Sequence, residues 1–228
     1  MSIFSDVPTI LMYHGLSTDE TSKLYVSQTS FKKHLDHLSR WNNMAVPIET
    51  LIQTYKIDSS LIGITFDDGF HSCYTQAFPI LEEFGQKAVF FIISSFIGKN
   101  EYMNASQIKE LFSCGHSIGS HTVSHEWLPH LSSQKIREEV RNSKAQLEDL
   151  LGSEISIFAY PMGGLNETVV EEVRAAGYTY ALATTPPKGF DWCNPFTLRR
   201  TKVSRTANNA LRLWYKVSGL EARIKGGS

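Results

Sequence analysis

The sequence is short of cysteine and carries almost no net charge. Its 228 residues include three cysteines, Cys73, Cys114 and Cys193, an odd and widely spaced set that predicts free thiols. Neither a disulfide framework nor a cysteine-rich zinc module is therefore expected. The formal net charge of -1 provides no general attraction to nucleic acid. We therefore expect no nucleic-acid partner.

Long apolar runs are also missing. No stretch is long and apolar enough to span a bilayer, and the N-terminus lacks the features of a secretory signal. As written, the sequence predicts a cytoplasmic protein, although a chain trimmed of an export signal would look the same. Residues 202–228 hold six basic residues against one acid, with Trp214 and Tyr215 among them. We favour a final helix with solvated charges, and docking of this tail on a membrane surface is the alternative.

Short apolar segments alternate with segments of helical periodicity. Phe31, Leu35 and Leu38 recur at helical spacing, and we assign His34 and His37 to the polar side of that helix. The predicted strands cover residues 9–13, 61–66, 88–93, 117–119, 155–159, 179–183 and 196–203. Apolar strands separated by helices indicate a parallel α/β sheet. We predict a single domain over residues 1–228, an α/β fold built as a distorted or incomplete (β/α)7 barrel.

Polar residues stand at the carboxyl ends of most predicted strands. They are His14, Asp67 and Asp68, Ser94 and Ser95, His121, Tyr160 and Pro161, and Thr184 and Thr185. In a barrel of parallel strands these ends share one face, where active sites are built. We therefore expect several of these side chains to converge on one site.

Two adjacent carboxylates and two histidines form the clearest chemical pattern. Successive side chains at a strand end point to different sides, so Asp67 and Asp68 cannot share a role. Asp68 with His121 and His125 supplies three N/O ligands, which leaves one coordination position for water. Asp67 then stays free as a general base. The pattern predicts a hydrolase with one divalent metal ion, Zn²⁺ first, with Co²⁺, Ni²⁺ or Fe²⁺ also suited to these ligands.

These residues carry a resemblance to a known family. Residues 65–69 (Thr-Phe-Asp-Asp-Gly) and 120–125 (Ser-His-Thr-Val-Ser-His) resemble the first two motifs of the polysaccharide deacetylase family, also called the NodB-homology domain or carbohydrate esterase family 4. The resemblance extends from about Ile10 to Val203. It implies a distorted (β/α) barrel, or TIM-like barrel, that removes acetyl groups from sugars with a divalent metal. It assigns Asp67 as the base and Asp68, His121 and His125 as the ligands.

The third family motif is altered. Residues 158–163 (Phe-Ala-Tyr-Pro-Met-Gly) resemble Arg-x-Pro-Tyr-Gly, with Ala159 in place of the arginine and Met162 in place of the tyrosine. In the family, the backbone N–H at the tyrosine position helps to hold the oxyanion, and Met162 can still supply it. The arginine orients the base, and Arg200 is the candidate substitute. The alternative is that Arg199 and Arg200 are plain surface charges.

The last family motif, Leu-x-x-His, is missing because no histidine follows His130. His14, in Leu-Met-Tyr-His-Gly at residues 11–15, is the candidate general acid. This placement resembles the poly-N-acetylglucosamine deacetylase branch, where an N-terminal Tyr-His supplies the acid and the motif order is circularly permuted. Tyr160, Trp127 and His71 are candidates for substrate contact. Asp191-Trp192 only faintly resembles the family's Asp-Trp motif.

The predicted function is hydrolysis of an acetamido group on a carbohydrate, with release of acetate. The partner would be an N-acetylated carbohydrate. Two alternatives stay open. A catalytically weak carbohydrate-binding protein is supported by the missing arginine and histidine. A hydrolase of another C–N bond, such as a formamide or cyclic amide, is compatible with the same metal site.

Overall fold

The structure is a computed structural model that describes residues 8–17, 24–184, 194–207 and 209–218. The described residues form two compact units. The first comprises those within Met1–Phe66, Ser72–Val89 and Thr201–Ser228, and the second comprises those within Asp67–His71 and Phe90–Arg200. The prediction of a single domain stays a prediction. Thr185, Asp191, Trp192, Cys193 and the tail beyond residue 218 lie outside the described residues.

Short parallel strands alternate with helices along the chain. The strands are β1 (Ile10–Tyr13), β2 (Met44–Ala45), β3 (Leu61–Phe66), β4 (Val89–Ile92), β5 (Ser117–Ser120), β6 (Ile157–Ala159), β7 (Tyr180–Ala183), β8 (Leu198–Arg199) and β9 (Thr201–Lys202). The helices are α1 (Gln28–Arg40), α2 (Ile48–Thr54), α3 (Phe78–Glu83), α4 (Ala105–Ser113), α5 (Ser133–Leu151), α6 (Glu167–Ala175) and α7 (Ala210–Val217). The predicted α/β class is confirmed.

In the first unit, β1 pairs with β9 on one side and with β3 on the other, and β2 pairs with β3, all in parallel. Tyr13, Phe31 and Phe66 pack their rings together, with centroids 5.2–5.6 Å apart. Burial of such large aromatic side chains is a main source of stabilisation in a core. The core of this unit therefore lies between the β1–β3 pair and α1.

His34 corrects one expectation about α1. The prediction that it lies on the polar side of the helix is wrong, because its side chain is only 3% exposed. His34 follows Phe31 by three residues and precedes Leu38 by four, so it shares their buried face. Both nitrogens of the buried ring are hydrogen-bonded. Nε2 lies 2.7 Å from the Ala207 carbonyl, and Nδ1 lies 3.2 Å from the Tyr13 hydroxyl.

In the second unit, β4, β5, β6, β7 and β8 lie side by side in that order, although β4 begins at Val89, the last residue of the first unit's range. The long helix α5 starts behind the N-cap Ser132 and ends where Gly152 takes a left-handed φ of 64°. Its buried face includes Ile136, Val140 and Leu147. Within the described ranges, no helix is both long and apolar enough to cross a membrane.

The predicted strand 196–203 is divided in the structure. It forms β8 and β9, which belong to different units, and Arg200 stands alone between them. The Arg200 N–H still donates to the Ala183 carbonyl of β7 at 2.9 Å. Local composition does not show such a break, because the break reflects which strands pair: β8 pairs with β7, and β9 pairs with β1.

Candidate metal centre

One carboxylate and two imidazoles meet in the second unit. Asp68 Oδ1 lies 3.5 Å from His121 Nε2 and 3.3 Å from His125 Nε2. A ligand atom of each of the three residues lies within 4.8 Å of the others. Asp68 directly follows Asp67 after β3, and His121 directly follows β5, so both ligands stand at strand ends as expected. The structure thus brings together the three residues predicted as ligands.

The tautomer of His121 suits a metal ligand. Its Nδ1 lies 2.8 Å from the Ala159 carbonyl, which can only accept, so Nδ1 carries the proton and Nε2 keeps a free lone pair. Burial lowers the pKa of His121, against the opposing charges of Asp67 and Asp68. The oriented imidazole and the nearby carboxylate oxygen fit a first-row divalent ion. Ala159, which stands where the family has arginine, contributes here through its backbone.

The backbone around these ligands is strained. Asp68, Thr122, His125 and Met162 all have left-handed φ angles, between 55° and 72°. Only two other non-glycine residues of the described chain, Asn42 and Glu101, share this conformation. Such residues cost about 1–3 kcal/mol each and persist where the surrounding contacts hold them. Their concentration here is typical of a functional site.

Asp67 and Arg200 form a buried ion pair next to the ligands. The Arg200 Nη2 donates to Asp67 Oδ2 at 2.9 Å, and Nη1 donates to Oδ1. The Arg200 side chain is fully buried, and its guanidinium lies 5.3 Å from the ring centroid of Phe91. Two parallel N–H···O bonds fix the plane of the carboxylate. The interpretation of Arg200 as a surface charge is therefore wrong, and Arg199 is half-buried.

Glu139 of α5 is a buried group that the motifs did not reveal. Its carboxylate accepts hydrogen bonds from the backbone N–H groups of Val123 and Ser124, at 3.0 and 2.8 Å. Ser124 Oγ donates to the other oxygen at 2.8 Å. A signal was available in the sequence, because Glu139 falls between Ile136 and Val140 on the apolar stripe of α5. An acid in that position is buried and needs partners.

Met162, the predicted oxyanion donor, and Trp127, a predicted substrate contact, both have exposed side chains. Met162 is 59% exposed in the helical turn Pro161–Gly163. Trp127, two residues after His125, is 38% exposed and packs on Gly164. A Cβ atom at Gly164 would lie only 2.8 Å from the indole Cε3, so glycine permits this close contact. The assignment of Trp127 to substrate contact stays a prediction.

Tyr160 corrects another expectation. Its side chain is fully buried, and its hydroxyl donates to the Phe196 carbonyl at 2.8 Å. Burial raises the pKa of Tyr160, so the phenol stays protonated. The prediction that Tyr160 contacts substrate is wrong, because the strand geometry at the end of β6 turns the ring into the core. Its role is structural.

His71 and Tyr102 complete the surroundings of Asp68. His71 is exposed, and its Nδ1 lies 3.2 Å from the Gln107 amide nitrogen. Tyr102 stacks on Phe70 with ring centroids 5.2 Å apart. Partial burial and then the charge of Asp68 raise the pKa of Tyr102. Sequence reasoning missed Tyr102, because it belongs to no motif and comes near Asp68 only through the pairing of Tyr102 with Phe70.

His14 belongs to the first unit. It directly follows β1 and is half-buried, and its backbone carbonyl accepts a hydrogen bond from Cys73 Sγ at 3.1 Å. These contacts orient the backbone of His14 and not its imidazole. The assignment of His14 as the general acid stays a prediction.

Comparisons with known proteins identify related chains. The family model named polysaccharide deacetylase matches residues 55–181. The Bacillus subtilis protein YxkH, whose name assigns it provisionally to the polysaccharide deacetylases, is 32% identical over 199 residues, which cover 86% of this chain and 71% of that protein. A peptidoglycan-N-acetylglucosamine deacetylase of Bacillus cereus is 32% identical over 139 residues, covering 60% of this chain and 63% of its own length.

Solved structures show the same fold. The Streptococcus pyogenes deacetylase PplD in complex with acetate matches with a TM-score of 0.84 at 24% identity, over 92% of this chain and 97% of that one. IcaB from Ammonifex degensii matches with a TM-score of 0.81 at 24% identity, over 93% and 98% of the two chains. The predicted (β/α) barrel fold is confirmed by this likeness.

Proposed function

Because this chain belongs to the polysaccharide deacetylase family, we propose that it is a metal-dependent carbohydrate N-deacetylase that releases acetate from a polysaccharide or an amino-sugar conjugate. The observation that carries the proposal is the meeting of Asp68, His121 and His125 beside an Asp67 that Arg200 holds in place. The names of the relatives support a carbohydrate substrate, since one from Bacillus cereus acts on peptidoglycan and one from Staphylococcus aureus acts on poly-beta-1,6-N-acetyl-D-glucosamine.

Asp68 Oδ1, His121 Nε2 and His125 Nε2 would hold the metal ion. Zn²⁺ suits this ligand set best, and Co²⁺, Ni²⁺ and Fe²⁺ suit it as well. When bound, such an ion supplies Lewis acidity to a substrate carbonyl and to water. The Ala159 carbonyl keeps the His121 proton on Nδ1, so the ring presents a lone pair and not an N–H to the ion.

Asp67 would remove the proton from the attacking water. It is adjacent to the ligand Asp68 in the chain, which places a base within one residue of the metal centre. Arg200 binds both of its oxygens, so the carboxylate does not need to reorganise during proton transfer. A carboxylate has further lone pairs besides the two that the guanidinium occupies, and one of these can accept the proton.

Three further residues would act on the substrate. The backbone N–H of Met162 would donate to the oxyanion, and the indole of Trp127 would pack on a sugar ring. The assignment of His14 as the acid that protonates the leaving amine rests on the family resemblance. The pairing of Arg200 with Asp67 removes one argument for a catalytically weak protein, because it supplies the base with the arginine that position 159 lacks.

The first experiment measures acetate released from N-acetylglucosamine oligomers by metal-stripped protein, with and without Zn²⁺ or Co²⁺. We expect metal-dependent release. The variant Asp67→Asn should keep one ion per chain, because Asp68 and not Asp67 is the ligand. Its turnover should fall about 10²–10⁴-fold, the usual contribution of a general base.

Asp149→Asn, an exposed substitution on α5, is the matched control and should leave turnover unchanged. Substantial activity in Asp67→Asn would contradict the assignment of the base. Metal binding without acetate release would contradict the proposed substrate and direct the search to formyl, lipid-linked and non-sugar amides.

A further inference from the structure

We propose that Glu139 is a positioning residue for the metal centre, which sets the backbone of the turn between the ligands His121 and His125. The inference rests on the proposed function, because it assumes that these histidines hold a metal ion. It adds a residue from helix α5 that does not touch the ion. Its carboxylate acts through Val123 and Ser124, which lie between the two histidines.

The turn is held from two sides. On one side, the backbone N–H groups of Ser94 and Ser95 donate to the carbonyls of Thr122 and Val123, both at 3.1 Å. On the other side, the N–H groups of Val123 and Ser124 both donate to Glu139 Oε2. Without the buried carboxylate of Glu139, the backbone N–H groups of the half-buried residues Val123 and Ser124 would lose their acceptor. Backbone N–H groups in folded proteins are nearly always paired, so these two would need a new acceptor and the turn would rearrange to reach one.

Such a rearrangement would move a ligand. His125 has a left-handed φ of 63°, and its own N–H donates to Thr122 Oγ1 at 2.9 Å. Thr122 is left-handed as well, with φ of 67°. Neither conformation is favoured by the residue itself, so external contacts must stabilise both. The turn that Glu139 holds ends at His125, and the direction of the His125 ring follows from the backbone at that point.

A carboxylate fits this task better than a neutral group. Glu139 is only 2% exposed and has two oxygens, one for the two backbone N–H groups and one for the Ser124 hydroxyl. All three of these partners are donors toward it, and a carboxylate only accepts. Lys135 Nζ lies 3.8 Å from Oε1, and Ser124 Oγ also reaches Glu126 at 3.1 Å. The shortest contacts of the Glu139 carboxylate are therefore those with the turn residues Val123 and Ser124.

The test measures Co²⁺ affinity of the metal-stripped, full-length protein by titration of the visible absorption bands. These bands report ligand geometry, which a merely stabilising contact would leave unchanged. We expect Glu139→Ala to weaken Co²⁺ binding about 10–100-fold, the usual effect of removing a group that orients a ligand, and to alter the spectrum. Glu138→Ala is the matched control. Glu138 is the exposed neighbour on α5, and its carboxylate lies 4.0 Å from Lys135 Nζ. The Co²⁺ affinity of the Glu138→Ala variant should stay within about two-fold of the parent.

Glu139→Gln provides a second reading if Glu139→Ala does not fold. It keeps one oxygen for the backbone N–H groups and places an amide beside Ser124, so we expect a smaller loss of affinity and a smaller spectral change. Parent-like affinity and spectrum in the folded Glu139 variants would overturn the inference, as would an equal loss in Glu138→Ala. A parent protein that binds no Co²⁺ would instead contradict the proposed function.

Discussion

At the scale of single residues, the contact between Arg200 and Asp67 has the largest effect on the candidate site. Arginine and lysine are abundant on protein surfaces, and the neighbouring Arg199 and Arg200 look alike in the sequence. Only Arg200 is fully buried, where it binds both oxygens of the proposed base. A buried charge requires a partner of opposite charge, so each residue of the pair depends on the other.

The pair predicts different outcomes for two conservative substitutions. Lysine keeps the charge of arginine but cannot form two parallel hydrogen bonds with a carboxylate. We expect Arg200→Lys to lower kcat/KM for acetate release about 10–100-fold through misorientation of the base. Arg199→Lys should change it less than about two-fold, since Arg199 is half-buried outside the pair.

Urea denaturation checks the structural side of the same pair. Arg200→Met leaves Asp67 buried without its cation, and we expect the free energy of unfolding to fall by about 3–5 kcal/mol. Equal effects of Arg199→Lys and Arg200→Lys on kcat/KM would contradict the role given to the pair.

At the scale of elements, the candidate site depends on close packing between neighbouring strands. Gly119 of β5 and Phe91 of β4 are in contact, and a Cβ atom at Gly119 would overlap the Phe91 ring and lie 3.1 Å from the Ile157 carbonyl oxygen. The same ring lies against the Arg200 guanidinium, and its centroid is 6.3 Å from that of His121. A glycine in β5 thus makes room for the ring that supports two residues of the site.

Gly119→Ala tests this packing. The added methyl group has no space, so we expect the free energy of unfolding to fall by about 1–3 kcal/mol. Thermal denaturation followed by circular dichroism measures the change. A second substitution, Phe91→Leu, removes the ring edge that the methyl group meets. The double variant should therefore lose less stability than the sum of the two single variants, and strict additivity would contradict the contact.

At the scale of the whole molecule, His34 makes stability depend on pH. Burial is the main cause that lowers its pKa from 6.5 to about 4, partly offset by its hydrogen bond to Ala207. Below pH 6.5 the unfolded chain binds a proton at this residue that the folded chain does not bind until pH 4. The contribution to stability is therefore complete above pH 6.5 and is lost as the pH falls toward 4.

The pKa shift of His34 sets the size of the expected loss of stability. A shift of this size corresponds to about 3 kcal/mol, which we expect to disappear between pH 6.5 and 4. Urea denaturation across this range measures it. His34→Gln can keep both hydrogen bonds without titrating, so its stability should depend less on pH. His37→Gln, on the same helix, should retain the slope of the parent, and an equal slope in His34→Gln would contradict the argument.

The candidate ligands could be identified from the sequence because they occupy short motifs at strand ends. Asp68 directly follows Asp67, and His125 lies four residues after His121, so local geometry brings each set near the end of its strand. The α/β class could be predicted for a similar reason, since the alternation of apolar strands and helices is a local pattern. Tyr160 was misread because a position within a motif does not reveal on which side of a strand end the side chain lies.

The sequence by itself determined which residue types are present, their order along the chain, and therefore the choice of Asp68, His121 and His125 as candidate metal ligands. Only the tertiary structure decided that Arg200 and not Arg199 binds Asp67, that Glu139 holds the turn before His125, and that His34 is buried. The physical reason is that these contacts join residues 133, 15 and 173 positions apart. Periodicity and motif spacing describe neighbours along the chain, whereas burial and ion pairing depend on which distant elements pack together.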